Sequence, residues 1–258
     1  MSAPSFNDML KAIVTAMVGA WRPCQPLLLT AIVIALVVAA VFGLLAPGEV
    51  GQGLAGLPLT VLTLAVSAGV AGFIMTGDGR FTTLDGVVRE PRSYRFVLRY
   101  LLLSLALSLP LVAMIPTLAG AAAGGDALGA GTALVALGLI GVVIFLAARL
   151  APFPYAVFLH QPASLGDSWR MTEGHALKIV GCIAIFALGI LGTVTLVTFV
   201  LGGLITAAGS ATGLGGGAAA TMAVQAIGQI AAVYAIDCVY GTITRLLAAP
   251  PPVVERDA

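Results

Sequence analysis

Charge is what this chain has least of. Of its 258 residues, 9% are Asp, Glu, Lys or Arg, against about 25% in soluble globular domains. A water-soluble protein of this length would not cover itself with so few charges, so much of its surface is expected to face lipid. The net charge of +1 lacks the basic footprint of a nucleic-acid-binding protein, and no nucleic-acid partner is expected. Long polar tails and low-complexity stretches are also missing, which leaves residues 1–258 as a single membrane domain.

Cysteine is scarce too. Cys24, Cys182 and Cys238 are odd in number and show no CxxC or other metal-ligand spacing, so they read as small core residues rather than a disulfide framework. His160 and His175 stand fifteen residues apart with Asp167 and Glu173 between them. That is not the convergent spacing of a metal site, and no metal is expected. HExxH, GxSxG and Walker A patterns do not occur. Neither a catalytic residue nor a cofactor is expected, and the chain reads as a non-enzyme. Asp78 and Asp237 are the only pair that suggests an intramembrane aspartyl dyad, and nothing in the sequence brings them together.

What is present is apolar. The composition is 60% hydrophobic and the mean hydropathy is +1.09. Crossing the hydrocarbon takes about 20 apolar residues in a helix. Six runs meet that length, near 27–46, 55–77, 96–118, 129–151, 178–206 and 218–244. They do not alternate as barrel strands do, and backbone groups in lipid must be satisfied within the segment. The expected fold class is therefore an all-α integral membrane protein, with six transmembrane helices in a compact bundle. The run Leu27–Ala46 is too long for a signal-peptide core and reads as a retained first span.

The connections differ by side. Segments 47–54, 119–128 and 207–217 are rich in Gly and Ala and carry only Glu49 and Asp126. All twelve cations fall on the other side: Lys11, Arg22, Arg80, Arg89, Arg92, Arg95, Arg99, Arg149, Arg170, Lys178, Arg245 and Arg256. Cytoplasmic loops retain Lys and Arg. This places both termini in the cytoplasm and the chain in a plasma membrane, the bacterial inner membrane by the resemblance below. The cysteines then lie on a reducing side. All five Tyr and both Trp also lean toward that face.

Three segments on that side read as interfacial elements. In 5–21, Phe6, Leu10, Ile13, Met17 and Trp21 recur at helical spacing, opened by a Ser5–Asp8 capping-box pattern. Segments 80–94 and 163–173 mix apolar and charged residues in the same way, and Arg170 with Glu173 reads as an i, i+3 surface pair. Each element precedes two runs, so three helical-hairpin repeats are expected. Pro152 and Pro154 should end or kink the fourth span near Arg149–Pro152, laying Phe153–His160 along the inner interface.

Residues 149–181 read RLAPFPYAVFLHQPASLGDSWRMTEGHALKIVG. Arg149, Pro152, Ser168, Trp169, Arg170, Thr172 and Gly174 in this stretch resemble a diffuse group of bacterial membrane proteins. That group includes the membrane domain fused to some glycerophosphodiester phosphodiesterases. The resemblance covers about thirty residues, with a six-span layout compatible over the rest, and implies a membrane domain without an assigned activity of its own; the phosphodiesterase domain has no counterpart here, so that activity is not carried over.

Asp237, in YAIDCVY, is the sharpest single residue, since a carboxylate at membrane depth is costly and functional by default. The expected partner is Arg149, closing the bundle at its inner end. The alternative is a small-solute or lipid-handling transporter that uses Asp237 with Gln225 and Gln229. Asp237 is turned about 80° from Gln229 at 100° per residue, which argues against a continuous polar path. Arg80, Arg89, Arg92, Arg95, Arg99, Trp169, Arg170 and Lys178 are candidate contacts to lipid headgroups or to a protein partner. Positive-inside bias by itself also predicts such a distribution. Small residues such as Ala68/Gly72, Gly138/Gly141 and Gly189/Gly192 suit tight helix packing or a homo-oligomer. The function these readings favour is a scaffold or accessory subunit that binds a partner or lipid at its cytoplasmic face.

Overall fold

The computed structural model describes residues 4–45, 49–124, 127–159, 164–212 and 217–248. Those residues are almost entirely helical and contain no strand. Asp126, His160 and Arg256 lie outside the described residues. The helices are α1 (Phe6–Leu45), α2 (Glu49–Thr76), α3 (Leu84–Arg89), α4 (Pro91–Gly124) and α5 (Ala127–Leu150). They continue with α6 (Pro152–Tyr155), α7 (Leu165–Met171), α8 (Ala176–Thr212) and α9 (Gly217–Ala248), with 3-10 turns at Gly79–Thr82 and Ala156–Leu159.

Four stretches are long and apolar enough to cross a membrane: Phe6–Phe42, Gly53–Thr76, Leu134–Leu159 and Ala220–Ala248. A fifth arises if α7 and the start of α8, bent by 91° at their junction, count as one broken span. The expected spans at 96–118 and 178–206 fall on α4 and α8, which extend partly beyond the described side chains.

The first departure from expectation is α1. Segment 5–21 is not a separate element but the first half of one 40-residue helix. Pro23 and Pro26 lie inside it, each removing one ladder bond without ending the helix. The Thr30 hydroxyl donates to the Pro26 carbonyl at 2.8 Å. At 1.5 Å per residue α1 is about 60 Å long, roughly twice the hydrocarbon thickness of about 30 Å. Its start is fixed by the Ser5–Asp8 capping box, whose backbone bonds are both 3.2 Å long.

The protruding half of α1 packs rather than floats. Met9 and Ile13 are fully buried with Ile179, Cys182, Ala148 and Ile243. Trp21 meets the Tyr234 ring edge-on at 5.7 Å, and the Tyr234 hydroxyl donates to the Met17 carbonyl. Helix α9 is central, packing against α1, α2 and α8, while α4 pairs with α5.

The segment after α2 is folded in the same manner. Gly77 takes φ +71°, the left-handed conformation that glycine adopts without a Cβ penalty. Its N–H closes the helix on the Phe73 carbonyl at 2.7 Å. The chain then turns under α2 and buries Phe81 and Val87. Gly72 is what makes this possible, because a Cβ there would stand 2.4 Å from Phe81 Cδ1. The glycines Gly138, Gly141, Gly189 and Gly192 have nothing within 4 Å of a Cβ position. They do not serve close packing among the described residues.

Candidate functional site

Helix α5 stops where proline dictates. Pro152 and Pro154 cannot donate to the carbonyls one turn earlier, so the chain breaks at Ala151 and restarts as α6 with proline at its first position. The expected break is there, and the described part of the stretch that follows packs into the protein. Pro152, Pro154, Tyr155, Ala156 and Phe158 are all buried. The compact α6 turn drives Tyr155 inward between α4 and α9, and its hydroxyl donates to Asp237 Oδ1 at 2.6 Å.

Asp237 is 1% exposed. The buried Ser67 side chain of α2 lies toward the same carboxyl group, yet Oδ2 has no hydrogen-bond partner. Aromatic rings surround this centre. Phe96 stands 5.3 Å from Tyr155, 5.9 Å from Tyr100 and 5.4 Å from Phe158. Tyr240 stacks on Tyr155 at 6.2 Å, and Phe158 meets Phe81 at 5.3 Å.

The expected Arg149–Asp237 ion pair is not formed. The Arg149 guanidinium lies over the Trp169 ring, 4.1 Å from its centroid, and Nη1 donates to Thr172 Oγ1 at 3.3 Å. The reason is local. The end of α5 leaves carbonyls without ladder donors, and α7 docks there to supply them. Ser168 Oγ donates to the Arg149 carbonyl at 3.1 Å, and Thr172 Oγ1 lies 3.2 Å from the same oxygen. Once α7 is in place, Trp169 offers a π face to the cation. A Ser164–Asp167 capping box begins α7, and Gly174 at φ +75° makes the turn into α8. Arg149, Ser168, Trp169 and Thr172 thus form one joint between α5 and α7. Arg170 is exposed outside it and makes no ion pair with Glu173.

The arginine-rich turn is internally balanced. Arg80 pairs with Asp78 at 2.7 Å and reaches Glu90 at 3.8 Å. Arg92 meets Glu90 at 3.6 Å and Arg89 meets Asp85 at 2.9 Å. Hydrogen bonds from Arg80 hold the Asp78 carboxyl below the ordinary carboxylate range. Asp78 is therefore a surface group tied to Arg80, not a catalytic partner for the buried Asp237. Arg99 donates to the Phe153 carbonyl at 3.3 Å and covers the Phe153 ring at 4.9 Å. Lys178 reaches the Pro4 carbonyl at 3.1 Å, and Arg245 reaches that of Ile74 at 3.2 Å. Of the headgroup candidates, Arg95 and Arg170 are exposed with no ion pair among the described residues.

Cavities open between the helices among the described residues. One of 540 Å³ lies between α4, α8 and α9 and is walled by Tyr100, Ile183, Phe186, Ile236 and Tyr240 among others. A second, 120 Å³, lies between α4, α5 and α6 and shares Tyr100 and Tyr240 with the first. A third, 180 Å³, is lined by Gln225 and Gln229 between α2 and α9. Asp237 is not among the described residues of its wall. Among the described residues no three His, Cys, Asp or Glu side chains gather as a metal site. The three cysteines are free and buried.

Comparison with protein-family models, characterised proteins and solved structures finds no match. Tyr155 and Ser67 are the residues of the Asp237 centre that the sequence did not single out. Ser67 carried no signal. Tyr155 carried one, since a tyrosine directly after Pro-x-Pro is held on a short turn whose direction the prolines fix.

Proposed function

We propose that this chain is a non-enzymatic protein of the bacterial inner membrane that crosses it six times with both termini cytoplasmic. Its role is that of a scaffold or accessory subunit that binds membrane lipid or a partner protein at the cytoplasmic face. The observation that carries this reading is the built arginine-bearing end. The 3-10 turn at Gly79–Thr82 and helices α3, α6 and α7 pack beneath the long helices, while Arg95, Arg170, Trp21 and Tyr94 stay exposed. Basic residues beside a membrane attract anionic headgroups at about 1 kcal/mol each. The resemblance of 149–181 to membrane domains without an assigned activity agrees with the same reading. The six-span layout rests on the six hydrophobic runs and on the one-sided distribution of Lys and Arg.

Gentle extraction of the tagged protein, with mass spectrometry of bound proteins and lipids, tests this. A stoichiometric partner or retained anionic lipid that is lost on Arg95→Glu/Arg170→Glu supports it. Unchanged associations after that charge reversal count against it. A transporter working through Asp237 is the second reading, favoured by the partnerless Oδ2. Full transport by a folded Asp237→Asn chain would remove its basis.

A further inference from the structure

Asp237 is the one acidic side chain that the fold buries among the described residues. It lies within Ala220–Ala248, a stretch long and apolar enough to cross a membrane. A carboxylate in such a place keeps its charge only beside a cation or a full set of donors. Without them it takes up a proton instead.

No cation stands beside it. Asp237 makes no ion pair among the described residues. The arginines of the neighbouring elements are engaged elsewhere: Arg99 of α4 lies on Phe153, Arg149 of α5 on Trp169 and Thr172. Arg245, two turns further along α9, donates to the Ile74 carbonyl. The groups that face the carboxyl are neutral. They are the Tyr155 hydroxyl from α6, at 2.6 Å from Oδ1, and the Ser67 side chain from α2. Cys24 of α1 and Cys238 of α9 add only free thiols to the same core.

The two carboxyl oxygens also differ. Oδ1 accepts from Tyr155, as a carbonyl oxygen does. Oδ2 has no hydrogen-bond partner. None of the cavities described above has Asp237 in its wall, so none of them seats a counter-ion against that oxygen. A buried O–H without a partner forgoes one hydrogen bond, whereas a bare anionic oxygen forgoes the solvation of a whole charge.

We propose that Asp237 is a proton-binding site inside the bundle, a neutral carboxylic acid whose proton sits on Oδ2 and whose Oδ1 is held by Tyr155. A proton, rather than a metal or an organic cation, is what this centre takes. The site depends on neither the scaffold nor the transporter reading.

Infrared spectroscopy of the full chain at neutral pH, in an ester-free non-ionic detergent, tests this. Protein made with ordinary aspartate is compared with protein whose aspartate is isotopically labelled at the side-chain carboxyl carbon. Exposed carboxyls, with ordinary values of about 4, are ionised there and give no protonated-carboxyl band. The expected result is one carbonyl band of a protonated carboxyl that shifts with the label and is absent from Asp237→Asn. Tyr155→Phe should keep this band and move it to higher frequency, because Oδ1 loses its donor. That variant decides the matter if Asp237→Asn fails to fold. The absence of a label-sensitive band, its persistence in Asp237→Asn, or an unmoved band in Tyr155→Phe each overturns the proposal.

Discussion

The Tyr155 hydroxyl donates to Asp237 Oδ1 at 2.6 Å across 82 residues of sequence. This one bond links the proline-directed turn after α5 to the most central helix of the fold, and among the described residues it is the one hydrogen bond of good geometry that Asp237 makes. A neutral donor stands where a cation was expected.

Removing that donor should be costly. Tyr155→Phe keeps the ring but leaves a buried carboxyl with neither oxygen bonded, a loss of about 1–3 kcal/mol. Asp237→Asn alone should cost less. In the double variant the two losses should fall short of additive, since both act on one contact. Thermal unfolding in detergent measures all three. Strict additivity would mean that the bond contributes nothing.

Glycine contacts give a sharper contrast. Gly72→Ala places a methyl 2.4 Å from the Phe81 ring, so the turn beneath α2 must shift, at a cost of about 1–3 kcal/mol. Gly138→Ala and Gly189→Ala meet nothing within 4 Å and should leave the unfolding temperature unchanged or slightly raised, as alanine favours helix. Phe81→Leu should partly rescue Gly72→Ala. A large loss at Gly138 or Gly189 would instead indicate that those faces pack against a second chain.

Acid should loosen the turn at Asp78. Its carboxyl is held below the ordinary value of 3.8 by the Arg80 side chain and backbone. A depressed folded-state value means that the stabilisation is fully present above the unfolded value. It is lost as pH falls through the lower, folded one. Hydrogen-exchange protection over residues 79–87, taken relative to the intrinsic rate at each pH, should therefore fall below about pH 4, near the unfolded carboxyl value. Asp78→Asn should show low protection already at neutral pH and little further loss of protection on acidification. A pH response retained in Asp78→Asn would assign the effect to Asp85 or Glu90.

Helix and its placement along the chain were legible because lipid forces each hydrophobic run to satisfy its own backbone. The break after Arg149 was legible for the same reason, proline chemistry being local. The partners of buried charges were not. Pairing Arg149 with Asp237 counted only opposite formal charges. It missed that a π face, a threonine hydroxyl and a phenol can take over the same task. Those neutral groups arrive from α6 and α7, whose directions depend on how the break at Ala151 folds back. The continuity of α1 through Pro23 and Pro26 was hidden likewise, because α8 and α9 hold its first half in place.

Arg149 offers a test that separates charge from shape. Lysine at this position keeps the charge but loses the planar group that lies flat on Trp169 and reaches Thr172. Arg149→Lys should lose about 0.5–2 kcal/mol, the range of a partly desolvated cation–π contact, and Arg149→Ala somewhat more. The chain has two tryptophans, so in a Trp21→Phe background Trp169 is the sole reporter. Its emission should shift to the red in both variants as the ring loses its cover. Thr172→Val removes the hydroxyl beside the Arg149 carbonyl and should destabilise by about 1 kcal/mol without moving that emission. If Arg149→Lys instead matched the parent in stability and emission, charge alone would suffice at the α5–α7 joint, and the stacked guanidinium would be incidental.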